Sequence, residues 1–396
     1  MPDTLLDQIR LNHDALTEIR RDIHAHPEMG HQETRTAALV AAKLREWGVE
    51  VTEGVGGTGV VGTIRGRLPG QRAIGLRADM DALQIHEQTG ADHASTTPGT
   101  MHACGHDGHT TMLLGAAQHL AANRDFSGTV QLIFQPAEEL GSGAKRMMDD
   151  GLFERFPVDA VYGMHNMPGL PVGQFALRTG PFLAGTSRWR VEFRGNGGHG
   201  GAAPHMAADL TVALAHYVLA LQTIVGRNVP PLETAVISVG HIAGGSPESV
   251  NVMPALLELA GTARCFSKAT QTILDTRMHD LAHALAAMHG ATAEFTSSWG
   301  TIPLVNHPDQ TSVAAAAARD MVGDDAVETD AVAVTGGEDF AFMLDAKPGA
   351  FIMIGQGVAA DGKVHGLHTP KYDFNDAIIP LGAAWWVKLV EQELRL

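Results

Sequence analysis

Residues able to bind metal stand at the ends of successive strand-like runs in this sequence. Ala73–Arg77 runs into Asp79-Met80-Asp81, Thr129–Gln135 into Pro136-Ala137-Glu138-Glu139, and Asp159–Met164 into His165-Asn166. Ala350–Gly355 is followed, after a loop, by His365-Gly366-Leu367-His368. Between the first two runs lies His102-Ala103-Cys104-Gly105-His106-Asp107-Gly108-His109. Ligands gather at the carboxyl ends of strands in open α/β sheets, so the repetition weighs more than any single motif. These runs, with Val60–Ile64, alternate with helical patterns over Thr34–Trp47, Thr110–Ala122 and Gly143–Gly151. The expected fold class is therefore α/β, with Ala377–Leu394 as a closing helix.

The middle of the chain has a different rhythm. Arg188–Phe193 alternates like a strand and enters the glycine-rich turn Gly195–Gly201, and a long helical pattern covers Ala207–Arg227. Two strand-like stretches follow, Ala235–Ala243 and Ala255–Cys265, then a helix near Lys268–Met288 and a strand near Ala291–Ser297. That order predicts a compact α+β unit inserted into a larger domain. The expected division is 1–185 and 298–396 for the larger domain, with 186–297 as the insertion. The alanine-rich Val313–Ala318 reads as part of one helix.

A chain of 396 residues suggests two domains. Its 28 basic residues against 44 acidic ones give a formal charge of −16, which argues against nucleic acid or an anionic membrane surface as partner. No uninterrupted apolar run approaches the roughly 18 residues of a membrane span. The N-terminal segment reads as an amphipathic helix rather than a signal peptide, with Leu5, Leu6, Ile9, Leu16, Ile19 and Ile23 at helical spacing. Only Cys104 and Cys265 occur, so a disulfide scaffold is excluded and a cytoplasmic, reducing location is expected. Of the 21 histidines, His13, His119, His216, His279 and His283 fall in helical stretches and read as surface residues.

Thiolate, imidazole and carboxylate together suit zinc or another borderline divalent ion, whereas magnesium and calcium prefer oxygen alone. Cys104 and His106, separated by Gly105, can turn toward one site. The side chains of Glu138 and Glu139 diverge, so one carboxylate can bind metal while the other holds an attacking water. Two metals roughly 3.5–4 Å apart can activate such a water and polarise a carbonyl. Each feature alone has an ordinary explanation. A cysteine beside a helix is usually a small buried apolar residue, and a Glu-Glu pair is usually solvated. All of those explanations would have to hold at once, and a structural zinc site needs only four ligands.

The stretches RRDIHAHPE, LRADMDAL, MHACGHDGHT, QPAEELGSGA, GMHNMP, GGHGG, TGGEDFAF and HGLHTPKYDFND resemble the aminoacylase and carboxypeptidase metallopeptidases, the peptidase M20 family. Within it the likeness is to the hippurate hydrolase and auxin-conjugate amidohydrolase branch. The resemblance implies a zinc-peptidase-like catalytic domain with an inserted ferredoxin-like lid that also dimerises. It implies two divalent ions (Zn, Mn, Ni or Co) held by Cys104, His106, Glu139, His165 and His368, with Cys104 as the bridge. By the same likeness Glu138 is the general base, and Asp81 orients a ligand. His199 on the lid stabilises the oxyanion, reaching in from a partner subunit, while Asn251 and Arg264 hold the substrate carboxylate. An arginine fork suits that last task because it matches a carboxylate bidentately.

Two departures stand out. Many relatives carry a metal-binding histidine where this chain has Asp79. The turn from His199 to His205 is also one residue longer than the likeness implies. His199 is preferred over His205 because its glycine neighbours allow close approach. The expected reaction is hydrolysis of the amide bond in an N-acyl amino acid, by a homodimer or higher homo-oligomer assembled through the lid. The alternatives are a dipeptidase or aminopeptidase on the same scaffold, a non-catalytic small-ligand binder, and a structural metal site. A Cys104–His nucleophile is a further rival, although it leaves Glu138, Glu139, His165 and His368 without a role.

Overall fold

The computed structural model of the protein describes residues 4–394, in two compact units. The larger comprises the chain up to Phe182, Val305–Val332 and the chain from Asp339 onward; the smaller comprises Leu183–Leu304 and Ala333–Glu338.

The larger unit is built on one sheet of eight strands. Their spatial order is Glu50–Val55, Gly59–Arg65, Ser127–Gln135, Leu68–Asp79, Ala160–Pro168, Gly349–Gly357, Phe175–Ala176 and Val327–Glu328. Four neighbours, from Ser127–Gln135 to Gly349–Gly357, run parallel, so their carboxyl ends point to one edge. Ser127–Gln135 and Gly349–Gly357 are buried almost throughout, which is why they read as continuous apolar runs rather than alternating ones. The α/β class is as the alternation predicts.

Several boundaries differ for identifiable reasons. The Leu68–Asp79 strand starts earlier than Ala73 because its first half is polar and exposed. Glu50–Val55 was not anticipated, being a mostly exposed edge strand with little apolar signal. The helix predicted from Thr110 starts at His106, since its first turn buries polar side chains rather than apolar ones. Its residues from His106 to Ala117 are all buried, as expected of a helix enclosed on every side. The N-terminal helical pattern is two helices, Leu5–Arg10 and His13–Ala25. His13 and His119 are half-buried rather than at the surface, and His13 Nε2 lies 2.9 Å from the Asp376 carbonyl oxygen.

The smaller unit has an antiparallel sheet in the order Ala235–Gly244, Leu256–Cys265, Gly185–Arg194, Thr292–Thr301. With helices Leu210–Arg227 and Lys268–Met288, the chain order is strand–helix–strand–strand–helix–strand, the split βαβ arrangement of ferredoxin-like units. Alternate residues of Gly185–Arg194 face inward, and Trp189, Val191 and Phe193 pack with Tyr217, Leu221 and Leu274. Leu210–Arg227 is the one helix among the described residues long and apolar enough to cross a membrane. No such span was read from the sequence. Here Leu210, Ala213, Tyr217, Leu221 and Ile224 turn one stripe into the core of the unit.

Candidate metal centre and active site

The strand ends of the larger unit converge as their spacing implies. Cys104 Sγ lies 3.4 Å from His165 Nε2 and 3.3 Å from His368 Nε2. His106 Nε2 is 3.8 Å from Glu139 Oε1 and 4.0 Å from Glu138 Oε2, and His368 Nε2 is 3.3 Å from Glu139 Oε1. Cys104, His106 and His165 form one group whose ligand atoms all lie within 4.8 Å of one another; Cys104, Glu139 and His368 form a second. Cys104 belongs to both, and all five predicted ligands and Glu138 are thus brought together.

Local backbone makes this convergence possible. Gly105, between Cys104 and His106, has φ 92, and a Cβ on it would lie 2.5 Å from both Asn166 Oδ1 and Tyr372 Oη. Only glycine fits there. Ala137 (φ 50) and His368 (φ 60) are left-handed without being glycine. Such angles cost free energy and persist where the surroundings impose them, often at functional sites. Ala137 is held by its N–H donating to Glu33 Oε1 at 2.7 Å.

Asp81 ties the site together. Its Oδ1 is 3.1 Å from His106 Nδ1, and its carboxylate accepts the backbone N–H of Glu138 at 3.1 Å and of Glu139 at 3.0 Å. A proton on His106 Nδ1 that donates to Asp81 leaves Nε2 as the coordinating atom. His165 Nδ1 is likewise 2.7 Å from the Asn166 carbonyl oxygen, freeing its Nε2. Both histidines thus present the nitrogen a metal would take.

His106 Nε2 is buried without a hydrogen-bond partner among the described residues and faces Glu139 Oε1, itself 3.3 Å from His368 Nε2. Buried polar atoms are normally satisfied, so this pair fits a cation between them. The electrostatics agree. Burial opposes charge on His106, yet Asp79, Asp81 and Glu139 outweigh it and lift the imidazole to about 10. Burial, then the carboxylates of Glu139, Glu138 and Asp79, push the Cys104 thiol well up. A bound cation would answer that surplus of negative charge and hold the thiolate a ligand requires. A thiol nucleophile needs the opposite shift. Burial, followed by the neighbouring His109, keeps His165 neutral, well below the usual imidazole range.

Asp79 forms a further group of possible metal ligands with His106 and His109. It is buried, with Oδ2 accepting from Arg77 at 2.7 Å and Oδ1 lying 2.6 Å from His109 Nδ1. Arg77 also donates to Gln135 Oε1 at 2.8 Å and approaches Asp339 Oδ1 at 3.3 Å. His109 stacks edge-on against His165, with ring centroids 4.4 Å apart. Arg77, His109 and Asp339 were not singled out from the sequence. His109 stands three residues after His106, on the same helix face, and that spacing was the available signal.

The remaining candidates belong to the smaller unit. His199 and Asn251 are exposed, and Arg264 is half-buried. Gly198–His199 pairs with Val252–Met253, and the Gly200 N–H donates to the Asn251 carbonyl at 2.8 Å. His199 Nδ1 accepts the N–H of Ala202 at 3.1 Å, so its proton is on Nε2, pointing a donor outward. His205, in the turn Pro204–Met206, has no side-chain hydrogen bond among the described residues. Arg264 donates to Thr262 Oγ1 and, at 2.9 Å, to the Ala263 carbonyl.

A parallel sheet edge gathering a thiol, imidazoles and carboxylates, with a further carboxylate beside them, is the site of a metal-dependent hydrolase. The sequence pattern of peptidase family M20/M25/M40 matches residues 75–392, and the chain belongs to that family. It is 36% identical to hippurate hydrolase of Campylobacter jejuni over 96% of each chain. It is 38% identical to IAA-amino acid hydrolase ILR1-like 2 of Arabidopsis thaliana, over 96% of this chain and 86% of that one. Among solved structures, the YXEP protein of Bacillus subtilis, a dinuclear metal-binding peptidase of the M20 family, superposes with a TM-score of 0.84. It is 32% identical, over 97% of this chain and 99% of that one. The protein is a metallo-amidohydrolase acting on a small-molecule substrate.

Proposed function

We propose that the protein hydrolyses the amide bond of N-acyl amino acids, releasing a carboxylic acid and a free amino acid. Cys104, His106, Glu139, His165 and His368 would hold two divalent ions, with Cys104 shared between them. Bound there, the ions would acidify a water and polarise the substrate carbonyl. Glu138 takes the proton of the attacking water and returns it to the leaving nitrogen. Asp81 acts through others: it fixes the His106 tautomer and, through two backbone N–H groups, the turn that presents Glu138 and Glu139. His199, Asn251 and Arg264 are the residues of the smaller unit proposed to handle the oxyanion and the substrate carboxylate.

The observation that carries this reading is the pairing of Glu138 with Glu139. Both carboxylates reach within 4.0 Å of His106 Nε2, which supports a division of labour in which Glu139 binds metal and Glu138 transfers the proton. Two free cysteines are compatible with a reducing, cytoplasmic location. A homodimer is proposed through the smaller unit, whose helix Leu210–Arg227 leaves Val212 and Leu219 exposed; light scattering that returned a monomer would remove it.

A substrate panel tests the function. Hippurate and N-acetyl amino acids should be hydrolysed, the activity should vanish with chelator, and one of Zn, Mn, Ni or Co should restore it. Faster cleavage of free dipeptides would favour a dipeptidase instead, and no hydrolysis of any compound would favour a binding protein.

A further inference from the structure

Residues 28–33 of the larger unit lead into helix Thr34–Glu46 and touch both the residue after Asp81 and the turn that carries Glu138. On one side the Ala82 N–H donates to the Glu28 carbonyl at 2.8 Å, and Met29 pairs with Ala82. On the other, a Cβ at Gly30 would lie 3.1 Å from both Ala137 Cα and Cβ. The loop ends on Glu33, which is fully buried.

Glu33 stands at the N-terminus of the helix, yet its side chain does not cap it. That task falls to Glu28, whose carboxylate accepts the N–H of Arg35 at 2.9 Å and of Thr36 at 2.8 Å. Glu33 turns away from its own helix instead. Its Oε1 accepts the Ala137 N–H at 2.7 Å, and its Oε2 accepts the Thr58 hydroxyl at 2.6 Å. Burying a glutamate is costly, and these two bonds are what offset it.

The residue held this way is the one before Glu138. The N–H groups of Ala137, Glu138 and Glu139 all donate to acidic side chains, the first to Glu33 and the other two to Asp81. The Ala137 carbonyl accepts the Gly143 N–H at 3.2 Å, so Ala137 is fixed on both sides. Its φ of 50 is left-handed, which costs a non-glycine residue free energy unless the surroundings impose it.

We propose that Glu33 is a positioning residue for the reaction: by holding Ala137 left-handed, it sets the angle at which the chain enters Glu138 and so the aim of that carboxylate. The proposal rests on the reading of Glu138 as general base, and it gives Glu33 no contact with substrate or metal. Proton transfer demands close placement, and a displacement of about 1 Å can cost about 10²-fold in rate.

Kinetics and metal analysis of Glu33→Ala, with hippurate and N-acetyl-leucine as substrates, would test it. Turnover should fall about 10–100-fold, with KM within about twofold and metal content at the wild-type level. Glu33→Gln keeps an acceptor for the Ala137 N–H and a partner for Thr58, and it should recover most of the loss. The sharpest variant combines Glu33→Ala with Ala137→Gly. Glycine adopts a positive φ without steric cost, so part of the turnover should return, whereas a merely structural defect would deepen with a more flexible residue. Should Glu33→Ala not fold, Glu33→Asp keeps the charge but shortens its reach, and the same predictions apply. Unchanged turnover, a change confined to KM, metal lost in parallel with turnover, or no recovery from Ala137→Gly would overturn the positioning role alone. Full turnover in Glu138→Gln, or a wild-type enzyme inert on both substrates, would overturn the underlying reading and the role with it.

Discussion

The two units hold most of their candidate residues in opposite ways, the exposed His368 of the larger unit being an exception. In the larger one, Asp81 and His106 are 1% and 0% exposed, and Cys104 and Glu138 are buried. The ring nitrogens of His106 and His165 that do not face the cluster are engaged by Asp81 and by backbone. In the smaller one His199 and Asn251 are exposed, and the ring of His199 is oriented only by backbone N–H groups of its own turn. The difference is what each task needs. Metal ligands must be aimed before the ion arrives, which takes buried supporting partners. Residues proposed to meet a substrate must be reachable, and His199 and Asn251 lie on a two-residue strand and in a turn.

The first way to break this contrast is at the shared thiol. Cys104→Ala removes the group common to both ligand sets, so bound metal and turnover should both fall to background by metal analysis and assay. Full metal content in that variant would mean the two groups do not share Cys104. Next in size is Asp81→Asn, which should weaken metal affinity about 10–100-fold by titration without changing any proposed ligand. An unchanged affinity would show that the aim of His106 is set elsewhere.

The smaller unit should respond differently. Arg264→Ala is expected to raise KM for an N-acyl amino acid about tenfold while metal affinity stays at the wild-type value. A parallel drop in metal affinity would erase the distinction between the two regions.

Burial in the larger unit also sets a pH dependence. Burial works against charge on His24, but Asp107 at 2.7 Å and Glu87 at 3.4 Å prevail and raise it to about 9. A pKa raised on folding gives stability that is complete below the unfolded value near 6.5 and is lost as pH rises toward 9. Denaturant unfolding between those limits should lose on the order of 2–3 kcal/mol, and His24→Gln should flatten the slope. An equal slope in the variant would assign the dependence to other groups.

Much of the metal site was legible because chemistry and geometry coincide at strand ends. Asp81, Glu139 and His165 each follow or end an apolar run that becomes a parallel strand. The supporting residues were harder to see. Arg77 sits inside an apolar strand and looks like an interruption until Asp79, Gln135 and Asp339 surround it. The left-handed angles at Ala137 and His368 have no signature, since neither is glycine. The return of Ala333–Glu338 to the smaller unit is equally silent, because a short polar stretch carries no periodicity. Local pattern reports burial; partnership between distant residues emerges only in the fold.

The central claim is that Glu138 turns a metal cluster into a hydrolase. The most direct test is Glu138→Gln, with metal content and turnover of an N-acyl amino acid measured on the same sample. We expect wild-type metal content with turnover reduced about 10²–10⁴-fold, the range of a lost general base. Undiminished turnover in that variant would contradict the account.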